Sequence, residues 1–153
     1  MANAAHDTAH APTTIGTSML LRIVTPSRQV VSEQVEEIQI PGKNGYLGIL
    51  PGHAAMLSEL RVGELTYKQN RTPHKLVITG GFLEVLPDMV TILAEAAERP
   101  EEIDLARAQA ARDRAEKRLK SGDPEVDLNR ATVALERALI RIQIAGKGGS
   151  ASI

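Results

Sequence analysis

Phe82 to Lys120 reads FLEVLPDMVTILAEAAERPEEIDLARAQAARDRAEKRLK, and the fold turns on a change of rhythm inside it. Before Pro100 the apolar residues come in short runs, Phe82–Leu86 and Met89–Ala94, split by the turn signal Pro87-Asp88. Such punctuated runs read as β-strands. After Pro100 the period changes from about 2 to about 3.6, the spacing of a helix. Glu101 to Lys120 is made almost wholly of strong helix formers. Glu101, Glu102 and Asp104 lead it and Lys117, Arg118 and Lys120 close it, an order that suits the helix macrodipole.

Toward the C-terminus the pattern repeats once. Gly122 fits a helix C-cap, and Asp123-Pro124 fits an N-cap followed by proline at the first helical position. The second helix then offers the stripe Leu128, Ala131, Leu135, Ala138, Ile142 and Ala145, facing Ala108, Ala111, Ala115 and Leu119 on the first. Two such stripes joined by a few residues predict an antiparallel helical hairpin. Its alanine-rich seam buries little area, so the hairpin is expected to be marginal alone and able to detach at modest cost.

Toward the N-terminus the strand rhythm continues. Leu20–Thr25, Val35–Ile40, Tyr46–Leu50, Met56–Leu60, Glu64–Gln69 and Lys75–Thr79 are further strand candidates, several of them alternating. Turn signals fall between them at Pro26-Ser27, Pro41-Gly42, Asn44-Gly45, Pro51-Gly52, Gly63, Pro73 and Gly80-Gly81. Short strands so punctuated predict an all-β sandwich or barrel. No helix-length pattern separates any two strands, which excludes a parallel Rossmann-type sheet. The expected organisation is a disordered leader over 1–18, a β-sandwich over 19–100, a helical hairpin over 101–146 and a flexible tail over 147–153.

Composition narrows the function. The 153 residues hold 18 basic and 19 acidic side chains, a balance that argues against a nucleic-acid binder. Tyr46, Tyr67 and Phe82 are its only aromatics, so base-stacking platforms are not expected and the core must be aliphatic. Without cysteine there is no disulfide, thiolate zinc site or cysteine nucleophile. No apolar run approaches the roughly 18–20 residues of a membrane span, and the first 18 residues lack Lys, Arg and an apolar segment, so no signal peptide is expected. These features predict a soluble, cytoplasmic protein.

Enzyme templates are missing: GxGxxG after a strand, GxxxxGK[ST], HExxH and GxSxG do not occur. Thr79-Gly80-Gly81-Phe82 reads as a tight hairpin turn. His6, Asp7 and His10 sit in the leader, where gripping a metal would cost ordering entropy. His53 and His74 follow turn prolines and have no evident catalytic partners. The hairpin is more informative. Residues 101–146 carry nine acidic and nine basic side chains, a mixture that usually marks a solvated face. Against that stands a sharper reading. Arg107 and Arg114 share one face of the first helix, and Arg137 and Arg141 one face of the second. Antiparallel pairing brings both pairs to one side, where four guanidinium forks suit a polyphosphate.

Gly45 to Leu65, GYLGILPGHAAMLSELRVGEL, resembles the hallmark segment of the epsilon subunit of bacterial F-type ATP synthases. The resemblance continues through Ile78 to Leu119 and covers nearly everything from Leu20 to Ala145 in the family's order. It implies a ten-stranded antiparallel β-sandwich followed by an antiparallel two-helix hairpin. It also implies a non-catalytic rotor component of the central stalk in a proton-translocating synthase, peripheral on the cytoplasmic face of the bacterial plasma membrane. In the family the sandwich grips the gamma subunit and rests on the c-subunit ring. The hairpin moves between a folded-down state and an extended one that reaches the alpha/beta catalytic head and inhibits ATP hydrolysis.

In several members ATP binds the folded-down hairpin as a regulatory ligand through the pattern [IL]-D-x-x-R-A. Ile103-Asp104-Leu105-Ala106-Arg107-Ala108 matches it intact, and the family's outlying positions fall on Glu98, Arg114, Arg137 and Arg141. No cofactor is required. One departure lies in Gly45-Tyr46-Leu47-Gly48, where the family often has Gly-Glu-Leu-Gly, so an acidic contact to the ring is missing. Two other classes remain: a free-standing ATP-sensing module outside a synthase, and a small hydrolase, for which no nucleophile–base pair or metal cluster is found.

Overall fold

The computed structural model describes residues 16–148. Most of the expected leader, with His6, Asp7 and His10, lies outside the described residues, as do residues 149–153 of the expected tail. Lys147 and Gly148, read from the sequence as tail, belong to the last helix.

Alternation builds the outer strands. β1 (Met19–Val24) turns Met19, Leu21 and Ile23 inward and pairs antiparallel with β2 (Gln29–Val35). The turn at Pro26-Ser27 closes with the Thr25 N–H donating to the Arg28 carbonyl at 2.9 Å. β2 is a strand the apolar runs did not predict. Ser32, Glu33 and Gln34 break its pattern, and it is tolerated because it lies at the edge of the sheet. β3 (Glu37–Gly42) and β4 (Gly45–Ile49) form a second hairpin that buries Ile38, Ile40 and Ile49.

The centre is one long hairpin. β5 (Met56–Gln69) and β6 (Thr72–Val85) pair from Met56↔Val85 to Gln69↔Thr72. Asn70 and Arg71 close it with φ of 51° and 64°, the two left-handed residues of a type I′ turn. Gly63 and Gly80-Gly81, expected to be turns, lie inside these strands instead. A Cβ on Gly63 would stand 2.8 Å from the Pro41 side chain, and one on Gly81 2.0 Å from the Leu93 carbonyl oxygen. These glycines permit close approach rather than reversal. At Gly80-Gly81 the neighbour of β6 changes from β8 (Ala97–Glu98) to β7 (Met89–Ala94).

Among the described residues there are eight strands rather than ten, in the order β2-β1-β7-β6-β5-β3-β4 with β8 beside β6. Of the eight strand candidates, two pairs are each one continuous strand, β5 and β6, and β2 and β8 are additional. The sheet is not wholly antiparallel either, since β1 runs parallel to β7. Its two arms close a single core as a sandwich, packing Leu21, Ile23 and Val31 with Ile38, Ile40 and Ile49. That core is aliphatic apart from Tyr67. Each such side chain stabilises the fold by about 1.5–3 kcal/mol on burial.

A 3-10 turn (Pro100–Glu102) leads into α1 (Leu105–Lys120), which starts later than the sequence predicted. Asp104 is its N-cap, its Oδ1 accepting from the Arg107 N–H at 3.0 Å. Ser121 and left-handed Gly122 (φ 65°) end it. Asp123-Pro124 does not open the second helix as expected. The Asp123 carboxylate accepts from the Glu125 N–H at 2.9 Å within a turn, and capping passes to Asp127, which accepts from the Arg130 N–H at 2.9 Å. α2 therefore runs Leu128–Gly148. Leu128, expected in the seam, is exposed at its first position, while Ala108, Ala115, Ala131 and Ala138 are buried.

α2 also has a second buried face, and it decides how the hairpin sits. Arg137, Arg141, Ile144 and Lys147 follow one another at helical spacing. Arg137 pairs with Glu95 at 2.6 Å, Arg141 with Glu98 at 2.6 Å and Lys147 with Glu64 at 3.5 Å, while Ile144 is fully buried. The hairpin is thus folded down on the sandwich, with α2 against β5 and β6.

Candidate functional site

Between the start of α1, the 3-10 turn and α2 lies a hollow of about 360 Å³. Glu98, Asp104, Arg107, Ala108, Arg114 and Arg141 line it, as the sequence placed them, together with Glu102 and Ala111, which it did not. Ile103 is half-buried at the end of the 3-10 turn, its N–H donating to the Pro100 carbonyl at 3.3 Å, and does not line the hollow. Neither does Arg137, whose guanidinium is held by Glu95 over the sandwich.

The local structure explains what each charge is free to do. Glu98 extends from β8 and grips the Arg141 guanidinium through Nε at 2.9 Å and Nη2 at 2.6 Å, a bidentate, partly buried pair. One oxygen of Asp104 is used in capping α1. Glu102 takes the Arg99 N–H at 2.8 Å and pairs with Arg28 from the sandwich turn. The Arg99 N–H first, and the Arg28 guanidinium with it, hold the Glu102 carboxyl below the usual carboxylate range. All three carboxylates of the hollow therefore have partners. Among the described residues, Arg107 and Arg114 have no carboxylate within ion-pair distance. Two uncommitted guanidinium groups and the start of α1 thus face one small hollow. Chemically, such an arrangement can receive an anion beside carboxylates that already have partners.

Glu102 was missed because the matched pattern begins one residue later, at Ile103. Its signal was present nonetheless: a glutamate three residues after Arg99 in the turn that precedes α1.

The other candidates have local roles. His53 Nδ1 lies 2.8 Å from the Ala54 carbonyl, and His74 stacks on Tyr67 with centroids 4.9 Å apart. Among the described residues no cluster of His, Cys, Asp and Glu has the makings of a metal site. A larger cavity of about 680 Å³ lies between the bend of the sandwich and α2, walled by Leu60, Val62, Phe82, Leu93 and Val133, with Arg137 at its side.

Known proteins place this architecture. A family model described as "ATP synthase, Delta/Epsilon chain, beta-sandwich domain" matches residues 18–100. Another, described as "ATP synthase, Delta/Epsilon chain, long alpha-helix domain", matches residues 101–146. The chain is 61% identical over 103 residues to the ATP synthase epsilon chain of Koribacter versatilis, covering 67% of this chain and 72% of that one. It is 50% identical over 127 residues to the ATP synthase epsilon chain of Syntrophobacter fumaroxidans, covering 83% and 95%. Among solved structures it resembles a chain of the Euglena gracilis mitochondrial ATP synthase, OSCP/F1/c-ring, with a TM-score of 0.76 at 26% identity, covering 90% and 86%.

Proposed function

This chain belongs to the ATP synthase delta/epsilon family as an F-type epsilon subunit of the central stalk, and from that premise we propose that it is a non-catalytic brake whose hairpin responds to ATP. In this reading the folded-down hairpin permits ATP hydrolysis. Released, it extends toward the alpha/beta head and inhibits. ATP is the regulatory ligand that keeps it down.

The observation that carries the reading is the hollow. Arg107 and Arg114 on α1 and Arg141 on α2 surround one space, so a polyphosphate there bridges the two helices. Glu98 and Asp104 supply acceptors for the adenine amino group or the ribose, Ala108 leaves room on the floor, and Ile103, beside the hollow but not lining it in this structure, turns in to pack on the base. Arg137 completes the set once it leaves Glu95. A ligand that binds only the bridged state stabilises it by RT ln(1 + [L]/Kd), about 2.7 kcal/mol at a hundredfold excess over Kd.

The sandwich carries the rotor contacts in this reading. Phe82 and Leu93 stand opposite each other across β6 and β7, and Leu57 shares their face through its pairing with Glu84. They are exposed at 64%, 56% and 78%, an apolar patch of the kind a partner covers. We assign it to the gamma subunit. β4, with Tyr46 exposed near its start and Leu50 just past its end, is assigned to the c-subunit ring. There Tyr46 replaces the family's glutamate, its hydroxyl accepting from the Glu64 N–H at 3.2 Å. No described helix is long and apolar enough to cross a membrane, and we place the chain peripherally, on the cytoplasmic face of the plasma membrane of a proton-translocating synthase.

The test is a pair of assays on detergent-solubilised membranes. The chain is expected to copurify with the gamma subunit, which a free-standing module would not do. Truncation after Pro100 is expected to raise ATP hydrolysis; unchanged hydrolysis would refute the brake.

A further inference from the structure

Arg137 does not stand where a ligand of the hollow would need it. Its Nη2 lies 2.6 Å from Glu95 Oε2, while its Nε is buried and donates to nothing among the described residues. An arginine with one exposed ion pair and one orphaned donor is poorly satisfied where it sits. It is also close to a better place. Arg141, one turn further along the same face of α2, lines the hollow. Residues four apart on a helix are about 5–6 Å apart. The hollow itself runs along α1 from Arg107 to Arg114, toward the loop of the hairpin. Arg137 lies one turn from Arg141 in that same direction, and the hollow extends toward it.

We infer that Glu95 is a built-in competitor of the nucleotide, a positioning residue that holds Arg137 away from the site until a polyphosphate draws it off. This rests on the ATP-responsive reading of the hollow and adds to it the residue that sets its affinity. Glu95 lies in the connection between β7 and β8, so the competitor belongs to the sandwich and the arginine to the hairpin. Ligand binding then exchanges one sandwich–hairpin ion pair for a contact within the hairpin. What happens to the sandwich at Glu95 is thereby felt in the hollow.

The sign of one substitution tests this. The pair is 39% and 60% exposed, and exposed pairs cost only a modest amount to break, equivalent to about two- to fivefold in an equilibrium constant. Glu95→Gln keeps the shape and removes the charge. Calorimetric titration of the full chain with ATP is expected to show binding about two- to fivefold tighter in Glu95→Gln than in the parent. On an Arg137→Ala background the same substitution is expected to leave the affinity unchanged. A purely structural ion pair predicts the opposite sign, because losing it loosens the docked hairpin and weakens binding. Binding by the parent with unchanged or weaker affinity in Glu95→Gln overturns the inference alone. No ATP binding by the parent overturns the functional reading and this inference with it.

Discussion

Replacing Arg107 by alanine separates the ligand site from the fold more cleanly than any other change. Among the described residues its guanidinium pairs with no carboxylate, and only its main-chain N–H is used, by the Asp104 cap. The side chain is exposed and alanine is the better helix former, so the hairpin should be as stable as before. Its worth to the ligand is that of a hydrogen bond to a charged group, about 1.5–3 kcal/mol. At 25 °C that is about a 10- to 150-fold loss of ATP affinity. The control is Arg112→Ala. Arg112 lies on the same helix with the same charge but is turned to Asp113 at 2.7 Å and does not line the hollow. Isothermal titration of both variants, with melting curves to show that each is folded, reads the difference. Equal losses in the two would mean that diffuse charge rather than a site attracts ATP, and would refute the assignment.

Further outcomes follow from named contacts. Cutting after Pro100 is expected to leave a folded sandwich with a β-type circular dichroism spectrum, because its core uses no residue of the hairpin; an unfolded product would contradict the two-part architecture. Gly81→Ala is expected to cost about 3 kcal/mol or more in chemical denaturation, since its φ of 124° and the Leu93 carbonyl leave no room for a Cβ; a loss below about 1 kcal/mol would show that β6 can shift. Burial pushes the Glu64 carboxyl up, but Lys75 and Lys147 outweigh it and hold it below its reference value of 4.5. A carboxyl depressed in the folded state contributes stability above its unfolded pKa and loses it as pH falls through the folded one. Docking of the end of α2 should therefore weaken as pH falls below about 4.5, seen as slower amide exchange after Ile144 in the parent than in Glu64→Gln at higher pH, a difference that should vanish as pH falls.

What could be read from the sequence depended on whether a residue's role was local. Helix formers after Pro100 and the alternation of Leu21 and Ile23 with Arg22 and Val24 act over a few neighbours, and they showed the hairpin and the sandwich directly. Glycine was misleading because its signal has two meanings. Gly63 and Gly81 looked like turns, whereas each admits a distant backbone or proline, a fact that depends on residues many positions away. Asp123 and Asp127 are both good N-caps, and the four-residue choice between them depends on the seam with α1. β2 was invisible because an edge strand needs few apolar residues.

The site shows the same division. The motif Ile103–Ala108 and Arg114 lie along one stretch of chain, so their convergence, apart from Ile103, was legible. The arginines of α2 were not so simple. Spacing gave Arg137 and Arg141 a common face, but not that the face also meets Glu95, Glu98 and Glu64 on the sandwich. A carboxylate already in place is what separates a free anion site from a docked one, and only the tertiary fold supplies it.

The central claim is that ATP binds between the two helices and holds the hairpin down. Titrating the isotope-labelled full chain with ATP and following amide shifts tests it most directly. Saturable shifts at Arg107, Ala108, Arg114 and Arg141, with the amides of β1 and β2 unmoved, are the expected result. Shifts that fail to saturate at millimolar ATP, or that spread evenly over the sandwich, would contradict it.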